Sequence, residues 1–262
     1  MEHVPPTLRR SRMLALIRER EFMRVSDLSR LFGISEVTVR SDLDALEGDG
    51  GLERVHGGAV LRSRRRAAEP SVEESESASA AEKAAIGRAA AAMVSPGETV
   101  ILDVGSTVAA VARSMVVRDD LEDVVVFTNG LNVALTLEKG VPAFSVVVTG
   151  GTLRPRQHSL VGAMSDAILS QINVNTAFIG CNGVHPEEGI TNINLPEAMV
   201  KRRMIQAAQR CVVVADGSKI NNISVAKIAG LSDVDVVITG ESAPPEVVEQ
   251  LREAGVTVEV AG

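Results

Sequence analysis

Five short stretches of the chain combine glycine with residues able to hold a polar small molecule. They are Asp103-Val104-Gly105-Ser106-Thr107, Thr128-Asn129-Gly130, Gly150-Gly151, Gly180-Cys181-Asn182-Gly183 and Asp216-Gly217-Ser218-Lys219. Each follows a short apolar run of strand type. Gly105 permits a tight turn. The backbone N–H groups and hydroxyls of Ser106 and Thr107 then open a helix, whose N-terminus favours an anion such as phosphate. Lys219 adds positive charge. Thr128, Asn129, Asn182, Asp216 and Ser218 supply partners for hydroxyls. This mixture fits a phosphorylated polyol or sugar. The nucleotide fingerprints GxxxxGK[ST] and GxGxxG are absent from the sequence. His158 and His185 lack metal-ligand spacing, so neither a metal nor a cofactor is expected. Cys181 reads as a small residue packed at a strand end.

The elements that must position these turns alternate along the chain. A helix is expected over 81–94. Strands follow at 99–104, 124–128, 144–150, 174–180, 210–216 and 234–240, with helices at 107–117, 131–137 and 196–208. The expected fold class is α/β: a mainly parallel sheet with helices on both faces. Ligands of such sheets bind at the carboxyl ends of the strands, where the five turns lie.

The first 60 residues have a different pattern. Ser26 is expected to cap a short helix with Leu28, Leu31 and Phe32 on its apolar face, and Gly33 ends it. Ser35 caps the next helix, in which Val39, Leu43 and Leu46 face a core. Val37, Thr38, Arg40 and Ser41 then point outward near its N-terminus. This is a helix-turn-helix, whose second helix enters the major groove of double-stranded DNA. Leu52 and Val55 followed by Gly57-Gly58 suggest a two-stranded wing. There Arg54 and His56 reach the DNA backbone, and Gly57 allows close approach to a phosphate. A second reading pairs Arg40 with Asp44 on a solvated face.

Charge divides at the same place. The 262 residues carry a net charge of -7. Residues 1–66 hold 13 Lys and Arg against 10 Asp and Glu, and residues 67–262 hold 14 against 24. A mildly basic head thus precedes an acidic body that discourages DNA from lying on it. Five Phe without Trp or Tyr argue against single-stranded nucleic acid. Two cysteines 30 positions apart make neither a disulfide framework nor a zinc knuckle, which fits a cytoplasmic protein. No signal peptide or membrane-spanning run is read. The expected division is a winged helix-turn-helix at 1–61, a linker at 62–82, and an effector-sensing and oligomerisation domain at 83–262. The linker's cluster of Arg62 and Arg64–Arg66 reads equally as phosphate contacts or as a solvated face.

The stretch VSDLSRLFGISEVTVRSDLDALEGDG with RVHGGAV resembles the winged helix-turn-helix of the DeoR/GlpR-type bacterial transcriptional regulators. ILDVGST, FTNGLNVAL, VVTGGTLR, SLVGAMSD, TAFIGCNGV, GITNINLPEAMVKRRMI and VVVADGSK follow in that family's order, so the resemblance covers nearly the whole chain. It implies an effector domain similar to the ribose-5-phosphate isomerase/CoA-transferase fold, sensing a phosphorylated sugar or related metabolite. Asp103, Gly105, Ser106 and Thr107 fall on the phosphate-side loop, Gly150 and Gly151 on the facing turn. Lys201 and Lys219 are the ligand-side cations. The sequence departs from the family at Ser41, where a second Arg is usual, at Gly51, and at Gly240, where Asp is frequent. In the isomerases the segment matching FIGCNGV carries two Asp residues; here those places are Gly180 and Gly183. The expectation is a repressor of a sugar or polyol utilisation operon, acting as a homo-oligomer (dimer or tetramer) with no membrane partner. An active isomerase and a protein-binding adaptor are the alternatives.

Overall fold

The computed structural model describes residues 6–20, 22–48, 52–55, 57–61, 69–140 and 142–262. His56, Gly51, Arg62 and Arg64–Arg66 lie outside the described residues. The chain divides into two compact units at Glu69–Pro70.

In the first unit, helices α1 (Pro6–Arg20), α2 (Val25–Phe32) and α3 (Glu36–Gly48) pack with a three-stranded antiparallel sheet of β1 (Phe22–Arg24), β2 (Leu52–Val55) and β3 (Gly58–Leu61). Met13, Ile17, Leu28, Val39, Leu43 and Leu52 form its core, all fully buried. Gly33 ends α2 in the left-handed region at φ 62°. Leu31, expected in the core, is 57% exposed. It lies off the stripe that Leu28 and Phe32 share one turn apart. Ser26 is not the cap of α2: the helix starts at Val25, with Arg24 at the N-cap position and no side-chain cap. The Val25 N–H donates to the Gly57 carbonyl of the wing (3.0 Å), which sets the start two residues earlier. α1 and α3 are joined by charge. Buried Asp42 accepts from Arg9 Nε (2.6 Å) and Arg10 Nε (2.8 Å).

The second unit runs α4 (Val72–Ser77), α5 (Ala80–Ala92), β4 (Thr99–Leu102), α6 (Ser106–Val116), β5 (Val124–Thr128), α7 (Leu131–Leu137), β6 (Phe144–Val148), β7 (Thr152–Arg154), β8 (Ser159–Val161) and α8 (Ala163–Leu169). It continues with β9 (Val174–Gly180), β10 (Gly183–His185), β11 (Gly189–Asn192), α9 (Leu195–Gln206), β12 (Ala208–Val214), β13 (Ala226–Ala229), β14 (Val236–Gly240), α10 (Pro245–Glu253) and β15 (Thr257–Ala261). Seven strands form one parallel sheet in the order β15-β14-β12-β9-β4-β5-β6. Its strands are apolar on both faces. Val100 and Leu102 enter the core on the α5–α6 side, and Ile101 enters the core that holds Met204 and Leu251. An antiparallel sheet, β10-β11-β13, and the β7–β8 hairpin are additions that the strand-helix alternation does not announce.

The expected linker at 62–82 is corrected from Pro70 onward. α4 is held by a capping box, in which Ser71 Oγ accepts from Glu74 N–H (3.2 Å) and Glu74 accepts from Ser71 N–H (2.7 Å). Val72 and Lys83 are buried. A reciprocal cap and one buried valine order a stretch whose composition alone reads as solvated.

Candidate functional site

In the first unit, Ser35 Oγ accepts from Thr38 N–H (3.2 Å) and caps α3. With Val39 and Leu43 fixed in the core, Val37, Arg40 and Ser41 are exposed and Thr38 is half-buried. Val37, at 72% exposed, offers an apolar tip beside them. Arg40 pairs with Glu36 (2.7 Å) rather than with Asp44. Asp44 is taken by Arg54, and the Arg54 N–H donates to Glu47 (2.8 Å), so the wing's base is fastened to α3. Gly57 has φ 79°, a turn conformation that favours glycine. Gly58 packs so closely that a Cβ would lie 2.4 Å from the Met23 carbonyl oxygen.

In the second unit the chain runs β4, β5, β6 toward one edge, then returns to place β9, β12, β14 and β15 on the other side of β4. The order reverses between β4 and β9, which is where open parallel sheets bind ligands. Asp103, just past β4 and fully buried, accepts from Gly180 N–H at the end of β9 (3.0 Å) and pairs with Lys201 Nζ from α9. One turn earlier on α9, buried Glu197 pairs with Arg154 and accepts from Ser159 Oγ (2.5 Å) and Asn192 Nδ2 (3.2 Å).

These charges adjust one another. Burial pushes the Asp103 carboxyl up, Lys201 only partly offsets it, and Glu197 adds to the rise. Burial opposes the charge on Lys201, but Asp103 and Glu197 outweigh it and hold the amine above its ordinary value. Burial likewise works against ionised Glu197, yet Lys201, Ser159, Arg154 and Asn192 pull it below the usual carboxylate range. Such a carboxylate is a weak base. Cys181 is pushed up to about 12 by burial, with Lys201 and Lys219 opposing, so it is held as the thiol.

Among the described residues, several polar atoms at the same strand ends have no hydrogen-bond partner from the protein: Asp103 Oδ1, Asn129 Oδ1, both side-chain atoms of Asn132, and Thr149 Oγ1. Each costs about 1–3 kcal/mol while unsatisfied, and buried groups of this kind point to a polar partner. Asn129 is placed by Nδ2 donating to the Leu160 carbonyl (3.2 Å) and by its own carbonyl accepting from Leu160 N–H (2.8 Å). Gly105, with φ 127° and ψ 160°, precedes α6 and gives it no side-chain cap. The first-turn N–H groups beside half-buried Ser106 and buried Thr107 therefore keep their attraction for an anion.

Several of the other expected site residues also make contacts within the framework. Thr128 Oγ1 accepts from Gly130 N–H (3.0 Å). The Gly150 carbonyl accepts from Ser165 Oγ, and a Cβ on Gly151 would lie 2.6 Å from the Val161 carbonyl oxygen. Asn182 Oδ1 accepts from Ile193 N–H (2.9 Å). Asp216 accepts from Ser218 N–H (3.1 Å) and is buried; Ser218 is exposed and Lys219 half-buried. Sequence reasoning passed over Glu197, Arg154, Ser159, Asn132 and Thr149. Only Glu197 left a signal, its i,i+4 spacing from Lys201 on one helix face.

Residues 9–65 match the DeoR-like helix-turn-helix domain, and residues 78–241 match the DeoR C terminal sensor domain. A protein of Escherichia coli O157:H7, named as a candidate repressor of the aga operon, is 36% identical over 97% of this chain and 93% of its own. The regulator GlpR of Haloferax volcanii is 34% identical over 97% of each chain. The transcriptional repressor AccR of Agrobacterium fabrum is 31% identical over 94% of this chain and 93% of its own. A ribose 5-phosphate isomerase A of Methanocaldococcus jannaschii aligns over 53% of each chain, with 17% identity and a TM-score of 0.39. Among the described residues, no helix is long and apolar enough to cross a membrane.

Proposed function

The chain belongs to the DeoR family of helix-turn-helix transcriptional regulators, and on that premise we propose that it represses a sugar or polyol utilisation operon and leaves its operator when a phosphorylated sugar binds. Reading is assigned to the first unit, and sensing and self-association to the second, which begins at Pro70. The observation that carries the sensing half is the cluster at the β4–β9 switch point. Lys201, Arg154 and nearby Lys219 outnumber the carboxylates Asp103 and Glu197, which suits an anion. The unpartnered atoms of Asn129, Asn132 and Thr149 suit hydroxyls. Both carboxylates are committed to cations, which favours holding a ligand over abstracting its protons. Relatives named as repressors support the sign.

A homo-oligomer follows from the reading head. Two heads are needed to hold half-sites about 34 Å apart, and modest misorientation of one by the effector is enough to release both. The test is anisotropy of a labelled duplex from the gene's own upstream region, titrated with a panel of sugar phosphates. Tight binding released by one compound is expected. Binding that no compound alters would remove the sensing half, and no specific binding would remove the proposal.

A further inference from the structure

The second unit begins with a strap, residues 70–83, that is tied at both ends to loops flanking the site. Near its start, Val72 N–H donates to the Arg156 carbonyl (2.9 Å) and Gln157 Nε2 donates to the Pro70 carbonyl (2.7 Å). Glu73 faces His158 (3.4 Å) and Glu74 faces Arg156 (3.5 Å). Near its end, Glu82 accepts from Gly217 N–H (3.2 Å) and from Ser242 N–H (3.2 Å) and Oγ (2.7 Å). Lys83 lies 3.7 Å from Asp216 and reaches back to the carbonyls of Ser75 (2.5 Å) and Ala78 (2.7 Å). It thereby fastens α4 to α5 across Ser79, a non-glycine residue at φ 53°.

Both loops touch the charge cluster. The hairpin turn held by the strap lies between Arg154 and Ser159, and both of these bind Glu197. The loop held by Glu82 carries Lys219. A ligand that competes for Arg154 or Glu197, or that draws on Lys219, therefore changes the geometry of a loop to which the strap is tied. We propose that residues 70–83 transmit occupancy of this site to the DNA-reading head, an inference that rests on the function proposed above. The contacts suit a switch. The contacts of Glu73 with His158 and of Glu74 with Arg156 are exposed, individually weak and exchange readily. Val72 and Lys83 are buried and keep the strap on the unit while those contacts change. The strap is also the part of this unit that directly follows Glu69 in the chain.

One variant cuts the clasp without unwinding α4. Val72 is the first residue of α4, a position that tolerates proline. Ser71 before it has φ −63° and ψ 165°, as a residue preceding proline prefers. Val72→Pro with Gln157→Ala removes both hydrogen bonds to the hairpin turn. The full chain and this variant are compared by anisotropy on the upstream duplex and by amide hydrogen exchange with and without it. Coupling is reciprocal, so duplex binding should change exchange across 152–161 by about threefold or more in the native chain. The variant should bind the duplex within about threefold of native affinity, with that change abolished. An equal change in the variant, or no change in the native chain despite duplex binding, overturns the strap and leaves the repressor reading standing. Failure to bind the duplex at all, read by anisotropy on the same samples, overturns the DNA reading and the strap with it.

Discussion

Lys201 and Asp103, 98 residues apart in the chain, form an ion pair in which neither side chain is more than 3% exposed. The pair fastens α9 to the end of β4 at the point where the sheet order reverses. It brings one charge from each of two distant motifs into the same site.

Removing one partner of such a pair strands a buried charge and costs about 3–5 kcal/mol. Lys201→Met should lower stability in urea by that order and abolish the response to effector. Adding Asp103→Asn should restore most of the stability but not the response. A double variant no more stable than Lys201→Met would show that the two side chains do not act as a pair.

Among the described residues, Arg40 is exposed and pairs with Glu36 on its own helix. Arg40→Ala should weaken operator binding by roughly tenfold or more, as loss of a base or phosphate contact does. The melting temperature and the effector affinity should stay as they are. A matching loss of effector affinity would deny the division of labour between the units.

Asp42 predicts an acid-sensitive head. Burial alone would raise its carboxyl, but the bonds and charges of Arg9 and Arg10 outweigh it, and the group lies below its ordinary value in the folded unit. A depressed carboxylate contributes stability fully above its unfolded pKa, about 3.9, and loses it as pH falls through the lower folded value. Asp42→Asn should destabilise the head by about 2 kcal/mol at pH 7 and flatten its acid transition below pH ~4. Circular dichroism of helix loss against pH reads both effects; an unchanged acid limb would refute the assignment.

Gly240 makes room for Glu82. A Cβ there would lie 2.0 Å from Glu82 Cγ. Gly240→Ala should therefore push the Glu82 carboxylate off Gly217 and Ser242, at a cost of about 1–3 kcal/mol. Combining it with Glu82→Ala should add little to either single change. Additive losses in a double-mutant cycle would mean that the two positions are independent.

Much of this architecture is local and was legible in the residues. Apolar runs with β-branched side chains specify strands, and Gly33 and Ser35 specify where α2 ends and α3 begins. Val39, Leu43 and Leu46 orient α3 by periodicity alone, which leaves Val37, Arg40 and Ser41 outside. The glycine turns that follow the strands gather at one edge of the sheet, because a parallel sheet brings its carboxyl ends together. Ser26 does not cap α2, because a backbone bond from Val25 N–H to the distant Gly57 carbonyl decides where α2 begins. Glu197, Arg154 and Ser159 escaped notice because their meaning is a contact among a helix, a hairpin and a strand end. The strap 70–83 reads as solvated by composition; its own capping box and contacts with Arg156, Gln157, Gly217 and Ser242, all far along the chain, order it. Propensity and periodicity act over a few residues and can be read from one sequence. Ion pairs such as Lys201–Asp103 exist only once the sheet order has closed a gap of many residues, and that order was for the tertiary structure to decide.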